Sequence, residues 1–203
     1  MSDTGAPGRT PPLEIPPLRL VRGTASIDDL DEFLATTDRL AADTDAVVQA
    51  FDAAVIVSPA HLREATRLAA RAIARNEAVA RNPSVEILLY AAGCRQIERA
   101  FELGVSAGVQ QAVVLVADFG AVSNADRDAA DLDAAAARVQ SLFDGDSVVI
   151  DPTGADPEAS SVFPYDSDRV RDWYEIADIE RAATAGECAD IVRERVALLD
   201  VEK

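Results

Sequence analysis

Residues 83–105, P-S-V-E-I-L-L-Y-A-A-G-C-R-Q-I-E-R-A-F-E-L-G-V, constrain this chain more than any other stretch. An apolar run over 85–90 gives way to the small residues Ala91, Ala92 and Gly93. The polar trio Cys94, Arg95 and Gln96 follows, and helical spacing begins at Ile97, Ala100 and Phe101. The pattern reads as a strand, a tight turn at Gly93 and a helix that ends with Gly104 at its C′ position. Free N–H groups and the helix dipole favour an anion on such a turn. Arg95 adds a planar pair of donors and Gln96 an amide, so a phosphate or a carboxylate is the natural guest. A solvated arginine on an ordinary strand–turn–helix is the competing reading.

The remaining segments group around this one. The proline-rich residues 1–16 read as a flexible tail, leaving 17–203 as one domain. Strands are expected over 18–22, 54–57, 112–117 and 147–151, while 45–52 leaves helix and strand open. Ser26 is expected to cap a helix running to about Ala42, with Asp28, Asp29 and Asp31 in its first turns. Ser58 and Pro59 form a cap-and-N1 pair opening a helix to about Arg75. An alanine-rich helix is expected over 123–142, a loop over 153–161, an extended segment over 170–176 and a last helix over 187–199. The fold class is mixed α/β, a single domain with a central mixed sheet flanked by helices, and a β-α-β unit over 85–117 is its clearest part.

Charge is the second strong signal. The 203 residues carry a net charge of −17, and Lys203 is the single lysine. Short carboxylates and almost no lysine fit a protein adapted to molar salt, where charge is screened within ~3 Å. One window reverses the sign. Residues 60–99 hold seven arginines against four glutamates and no aspartate, so the window is +3 and the rest of the chain −20. Arg63, Arg67, Arg71 and Arg75 recur every fourth residue, which lays them along one slowly drifting helical stripe. Such a stripe serves phosphates, or it is simply a solvated face built of good helix formers.

Enzymatic constellations are scarce. His61 is the only histidine, which excludes a multi-histidine metal site. It stands at the start of the arginine helix, where it either touches a ligand or packs. The sequence has no G-x-S-x-G elbow, no phosphate-binding G-x-x-x-x-G-K-[ST] loop and no G-x-G-x-x-G after a strand. Cys94 beside Arg95 is either an activated thiol or a small turn residue. Cys94 and Cys188 lie far apart and read as reduced thiols of a cytoplasmic protein. The chain shows neither an apolar leader nor a membrane-spanning run, and no cofactor is expected. These readings favour a binding protein over an enzyme. The last helix carries Ile191, Val192, Arg195, Val196, Leu198 and Leu199, more apolar positions than one core stripe needs. Some of them are expected to face a partner, with Ile191, Arg195, Val196 and Leu199 as the candidate contacts.

The run E-I-L-L-Y-A-A-G-C-R-Q-I-E-R-A-F-E-L-G-V resembles the signature of the PRPK-binding (TPRKB-like) subunit family of the KEOPS complex. The Q-A-F-D-A block at 49–53, with H-L-R-E-A at 61–65, resembles its archaeal branch, and the acidic surface points to a halophilic member. I-V-R-E-R-V-A-L-L-D-V at 191–201 resembles the family's last helix. The proline-rich tail, the acidity and Cys94 depart from the pattern.

The resemblance implies a non-catalytic accessory subunit that binds the atypical kinase/ATPase of KEOPS through its N-lobe. It further implies capture of the 3′ CCA end of tRNA, in support of threonylcarbamoyl modification of the adenosine next to the anticodon. On that basis Gly93, Arg95, Gln96, Arg71, Arg75 and His61 are the expected tRNA contacts, and the last helix is the expected kinase contact. A purely protein-binding activator of the kinase and a small-molecule enzyme using the Gly93–Gln96 turn are the alternatives.

Overall fold

The computed structural model describes residues 15–153, 163–183 and 188–199. The tail before residue 15 and nearly all of the expected 153–161 loop lie outside these residues. The elements run β1 (Leu18–Ile27), α1 (Leu30–Thr44), β2 (Val47–Asp52), a 3-10 turn (Ala53–Val55), α2 (Pro59–Ala74), α3 (Pro83–Ala92) and α4 (Ile97–Phe101). They continue with β3 (Gly108–Ala117), α5 (Leu132–Gln140), β4 (Val148–Ile150), α6 (Ser167–Trp173), α7 (Asp178–Ala183) and α8 (Cys188–Leu198). The strands form one sheet in the order β2-β3-β1-β4, and every pairing is antiparallel. The expected mixed α/β class holds, with an antiparallel sheet in place of a mixed one.

Alternation along the strands sends side chains to two faces. Leu18, Leu20, Phe51, Val113 and Leu115 pack on α2 and α3. Val21, Ala25, Val114 and Val116 pack on α1 and α5. A third apolar cluster, Val57, Val170, Tyr174, Ile191 and Val192, fixes α6 and α8 beside α2. The sheet is thus the middle of three layers, and α6 and α8 stand at the end of the α2–α3 pair.

Several elements differ from the sequence expectation. Residues 85–90 are helical, so the 85–117 unit is α-α-β. Asn82 caps α3 by accepting the Ser84 amide (3.0 Å), and Pro83 occupies the first turn. Every residue from Glu86 to Ala92 is buried, so no polar stripe marks the helix. Ser26 belongs to β1, which continues to Ile27, and Asp29 caps α1 by accepting the Glu32 amide at 3.0 Å. Residues 54–57 pass from a 3-10 turn into extended backbone outside the sheet. Residues 170–176 contain the end of α6, capped by Asp166. The alanine-rich helix begins only at Leu132. As expected, Ser58 caps α2, with Pro59 at N1.

Candidate functional site

The 83–105 motif centres on the end of α3. A helix end leaves four backbone carbonyls without intrahelical partners, and here each one is satisfied. The Leu89 carbonyl accepts the Cys94 N–H at 3.2 Å and the Tyr90 carbonyl accepts the Gly93 N–H at 3.0 Å. This is a Schellman turn, with Gly93 in the left-handed region at φ 62°. A Cβ at Gly93 would lie 3.6 Å from the Tyr174 ring and would take a strained backbone conformation. The Ala91 carbonyl accepts two donors, His61 Nε2 at 2.9 Å and the Tyr174 hydroxyl at 2.7 Å. The Ala92 carbonyl accepts the indole N–H of Trp173 at 3.2 Å. Residues from α2 and α6 therefore clamp the turn from behind.

His61 is fully buried and cannot reach a ligand, which corrects its expected place among the contacts. A carbonyl only accepts, so the ring carries its proton on Nε2, and Nδ1 has no hydrogen-bond partner among the described residues. Burial lowers the His61 pKa from 6.5 to about 4, against a smaller opposing effect of the Ala91 carbonyl. Burial likewise pushes the Tyr174 hydroxyl upward, keeping it a neutral donor. Cys94 shows the reverse of activation. Burial raises its pKa and its thiol faces the Gln96 carbonyl at 3.7 Å, so it is a turn residue.

The front of the turn is open. Arg95 donates from Nη2 to the Leu199 carbonyl at 2.7 Å, tying the turn to the end of α8. Gln96 is exposed and opens α4, which at five residues is too short to sum much dipole. A hollow of about 800 Å³ lies over Arg95, Gln96, Ile97, Glu98, Arg99 and Glu102. Its two arginines and two glutamates cancel in charge. The phosphate-attracting field that the sequence implied is therefore weak here, and shape and hydrogen-bonding groups dominate. A second hollow of about 270 Å³ lies behind it, between Gly93, Cys94, Trp173 and Arg195.

The arginine stripe does not converge on this site. α2 and α3 run antiparallel, because His61 at the start of α2 meets Ala91 at the end of α3. Arg71 and Arg75 stand ten and fourteen residues along from His61, about 15 and 21 Å at 1.5 Å per residue. Arg71 is half-buried and Arg75 exposed, both toward the opposite end of the pair. Nearer the middle, Arg67 bonds Glu64 at 2.6 and 2.9 Å and holds that carboxyl below its ordinary range, with Arg63 and Arg193 adding to the pull.

The expected α8 contacts also sort differently. Ile191, Val196 and Leu199 are buried and pack inward, because the outer side of the helix carries Asp190, Arg193, Glu194, Ala197 and Leu198. Arg195 is half-buried and paired with Glu180 at 3.0 Å. Leu198, 42% exposed, is the large apolar residue that α8 turns outward. The sequence reading missed Tyr174 and Trp173, both in a segment expected to be extended. It also left Arg99 outside the site, although its place in the basic window pointed there.

A family model described as kinase binding protein CGI-121 matches residues 27–200, from the end of β1 to just beyond α8. Among curated proteins none matches the chain.

Proposed function

Because the chain belongs to the CGI-121 family of kinase binding proteins, we propose that it is a non-catalytic accessory subunit of the KEOPS assembly. In this reading it docks on the atypical kinase/ATPase and holds the single-stranded 3′ CCA end of tRNA at the Gly93–Arg99 face. The observation that carries the RNA part is the contrast between the two sides of one turn. The back is immobilised by hydrogen bonds on all four terminal carbonyls of α3. The front presents Arg95, Gln96 and Arg99 to an open hollow. A rigid backing behind the exposed Gln96 amide and two partly exposed guanidinium planes suits the bases of unpaired nucleotides. Charge cancellation in the hollow favours such contacts over phosphate attraction, which molar salt would weaken in any case.

For the kinase, the outer face of α8 around Leu198 and Glu194, continued by Ala60 and Arg63 of α2, takes the place of the buried residues. The contact of Arg95 with Leu199 favours a second reading, in which Arg95 only braces α8 and the chain activates the kinase without touching RNA. The two readings separate in a titration with full-length tRNA and with tRNA lacking its CCA end, followed by fluorescence anisotropy. The RNA reading expects at least tenfold weaker binding without CCA. Equal affinity for both would leave only the kinase-binding role. The acidity is proposed to be a high-salt adaptation. Thermal melts should rise strongly from low to molar salt, and a midpoint independent of salt would remove that part of the proposal.

A further inference from the structure

Among the described residues, Arg99 is the one side chain that lines both hollows of the turn. Its guanidinium carbon lies over the Trp173 ring, 5.3 Å from the centroid. Its Nη2 donates to the Trp173 carbonyl at 3.1 Å and faces Glu175 Oε1 at 3.5 Å. The indole in turn is anchored through its N–H to the Ala92 carbonyl, one residue before Gly93. The guanidinium is thus held through Nη2 by two acceptors and rests on an aromatic ring, yet 42% of the side chain remains exposed.

We infer that Arg99, held over Trp173, is a stacking platform for one nucleobase of a bound 3′ end, with Trp173 as its positioning residue. This rests on the RNA reading above and adds to it a residue and a mode of contact. Three arguments support stacking over phosphate pairing. Nη2, which either two-pronged fork of the guanidinium onto a phosphate would use, is already engaged with Trp173 and Glu175. The hollow has no net charge to draw a phosphate in. A guanidinium held against an indole loses little freedom when a base covers it, and base stacking on an arginine plane needs no net charge in the hollow.

The test uses the full chain and a labelled single-stranded RNA ending in CCA. Each of the last three bases is replaced in turn by an abasic nucleotide. On the wild-type protein, one of these three probes is expected to bind about 5- to 100-fold more weakly than the intact RNA. Arg99→Lys, which keeps the charge and discards the plane, should lose a similar factor on intact RNA and be insensitive to that same abasic position. Trp173 is the only tryptophan in the chain, so its emission reports the site directly and should change saturably with intact RNA.

If no abasic probe binds more weakly, the inference is overturned without any variant having to fold. Wild-type affinity in a folded Arg99→Lys also overturns it, and if Gln96→Ala weakens binding at the same time, the RNA reading itself survives. If the wild-type chain binds none of the RNAs, the reading and the inference fall together.

Discussion

The two ends of the α2–α3 pair are built on opposite principles. At one end His61, Tyr174, Trp173 and Arg95 spend their donors on the carbonyls of Ala91, Ala92 and Leu199. That end is knitted to α6 and α8. At the other end Arg75 and Arg81 are exposed to solvent. The closed end holds the turn with the recognisable sequence, Arg95 and Arg99 included; the open end holds the last of the stripe, with Arg75 and Arg81 in solvent. Charge alone does not tell the two ends apart, since arginines stand at both; the network of carbonyl contacts does, and the proposed site follows that network. Substitutions at the two ends should consequently differ in size and in kind.

The largest effect is expected at the closed end. Leu199 is 8% exposed, and its carbonyl receives Arg95. Leu199→Glu buries an unpaired carboxylate and should destabilise the chain by at least ~3 kcal/mol in denaturant unfolding. Its neighbour Leu198 points outward, so Leu198→Glu should stay within about 0.5 kcal/mol of the parent and lose the kinase in size-exclusion chromatography. If Leu199→Glu folds normally, the closed end is not closed. If Leu198→Glu still co-elutes with the kinase, the docking face lies elsewhere.

The next effect is a pH dependence. His61 has a folded pKa of about 4 against 6.5 when exposed. Between these values the unfolded chain binds a proton that the folded chain refuses. Stability is therefore intact above pH 6.5 and falls as the pH drops toward 4, by about 3 kcal/mol from this group. Carboxylates add their own slope, so the measurement is a difference: His61→Gln should show a shallower loss than the parent over this interval. Parallel curves would mean that the ring is not sealed behind Ala91.

Much of this organisation was legible in the sequence where a local signal had a single meaning. Ser58-Pro59 announces the start of α2, and the valine run over 112–117 announces a central strand. The same logic was available at Asn82-Pro83 and would have made 85–90 a helix. The apolar run obscured it, because a helix buried on all sides has no periodicity to display. Residues 166–176 failed differently. Asp166 caps a helix of seven residues, too short for a pattern, and that helix is set by packing Val170 and Tyr174 into the third cluster. The turn at Gly93 and the polar pair after it were visible. Their backing was not, since His61, Trp173 and Tyr174 reach the turn from 30 to 83 residues away along the chain.

At the turn itself the effect is on binding. Arg95→Ala removes donors from the hollow and the tie to Leu199, and should weaken binding of a CCA-ended RNA by ~1–3 kcal/mol. Circular dichroism and a denaturation curve must accompany it, because the lost tie also touches the end of α8. Unchanged affinity in a folded variant would make Arg95 a brace alone and would favour the kinase-only reading.

The smallest effect, and the sharpest check on the comparison, is expected from Arg75→Ala. Arg75 caps the open end of α2, about 21 Å along the helix from His61. At that distance its field is screened at physiological salt, where the Debye length is about 8 Å, and more so at molar salt. Stability should move by no more than about 0.5 kcal/mol. RNA affinity should match the parent at both salt concentrations. A loss comparable to that of Arg95→Ala would mean that the nucleic acid runs along the whole arginine stripe. The charge reversal over 60–99 would then mark the binding surface after all, and the two ends of the pair would belong to one extended site.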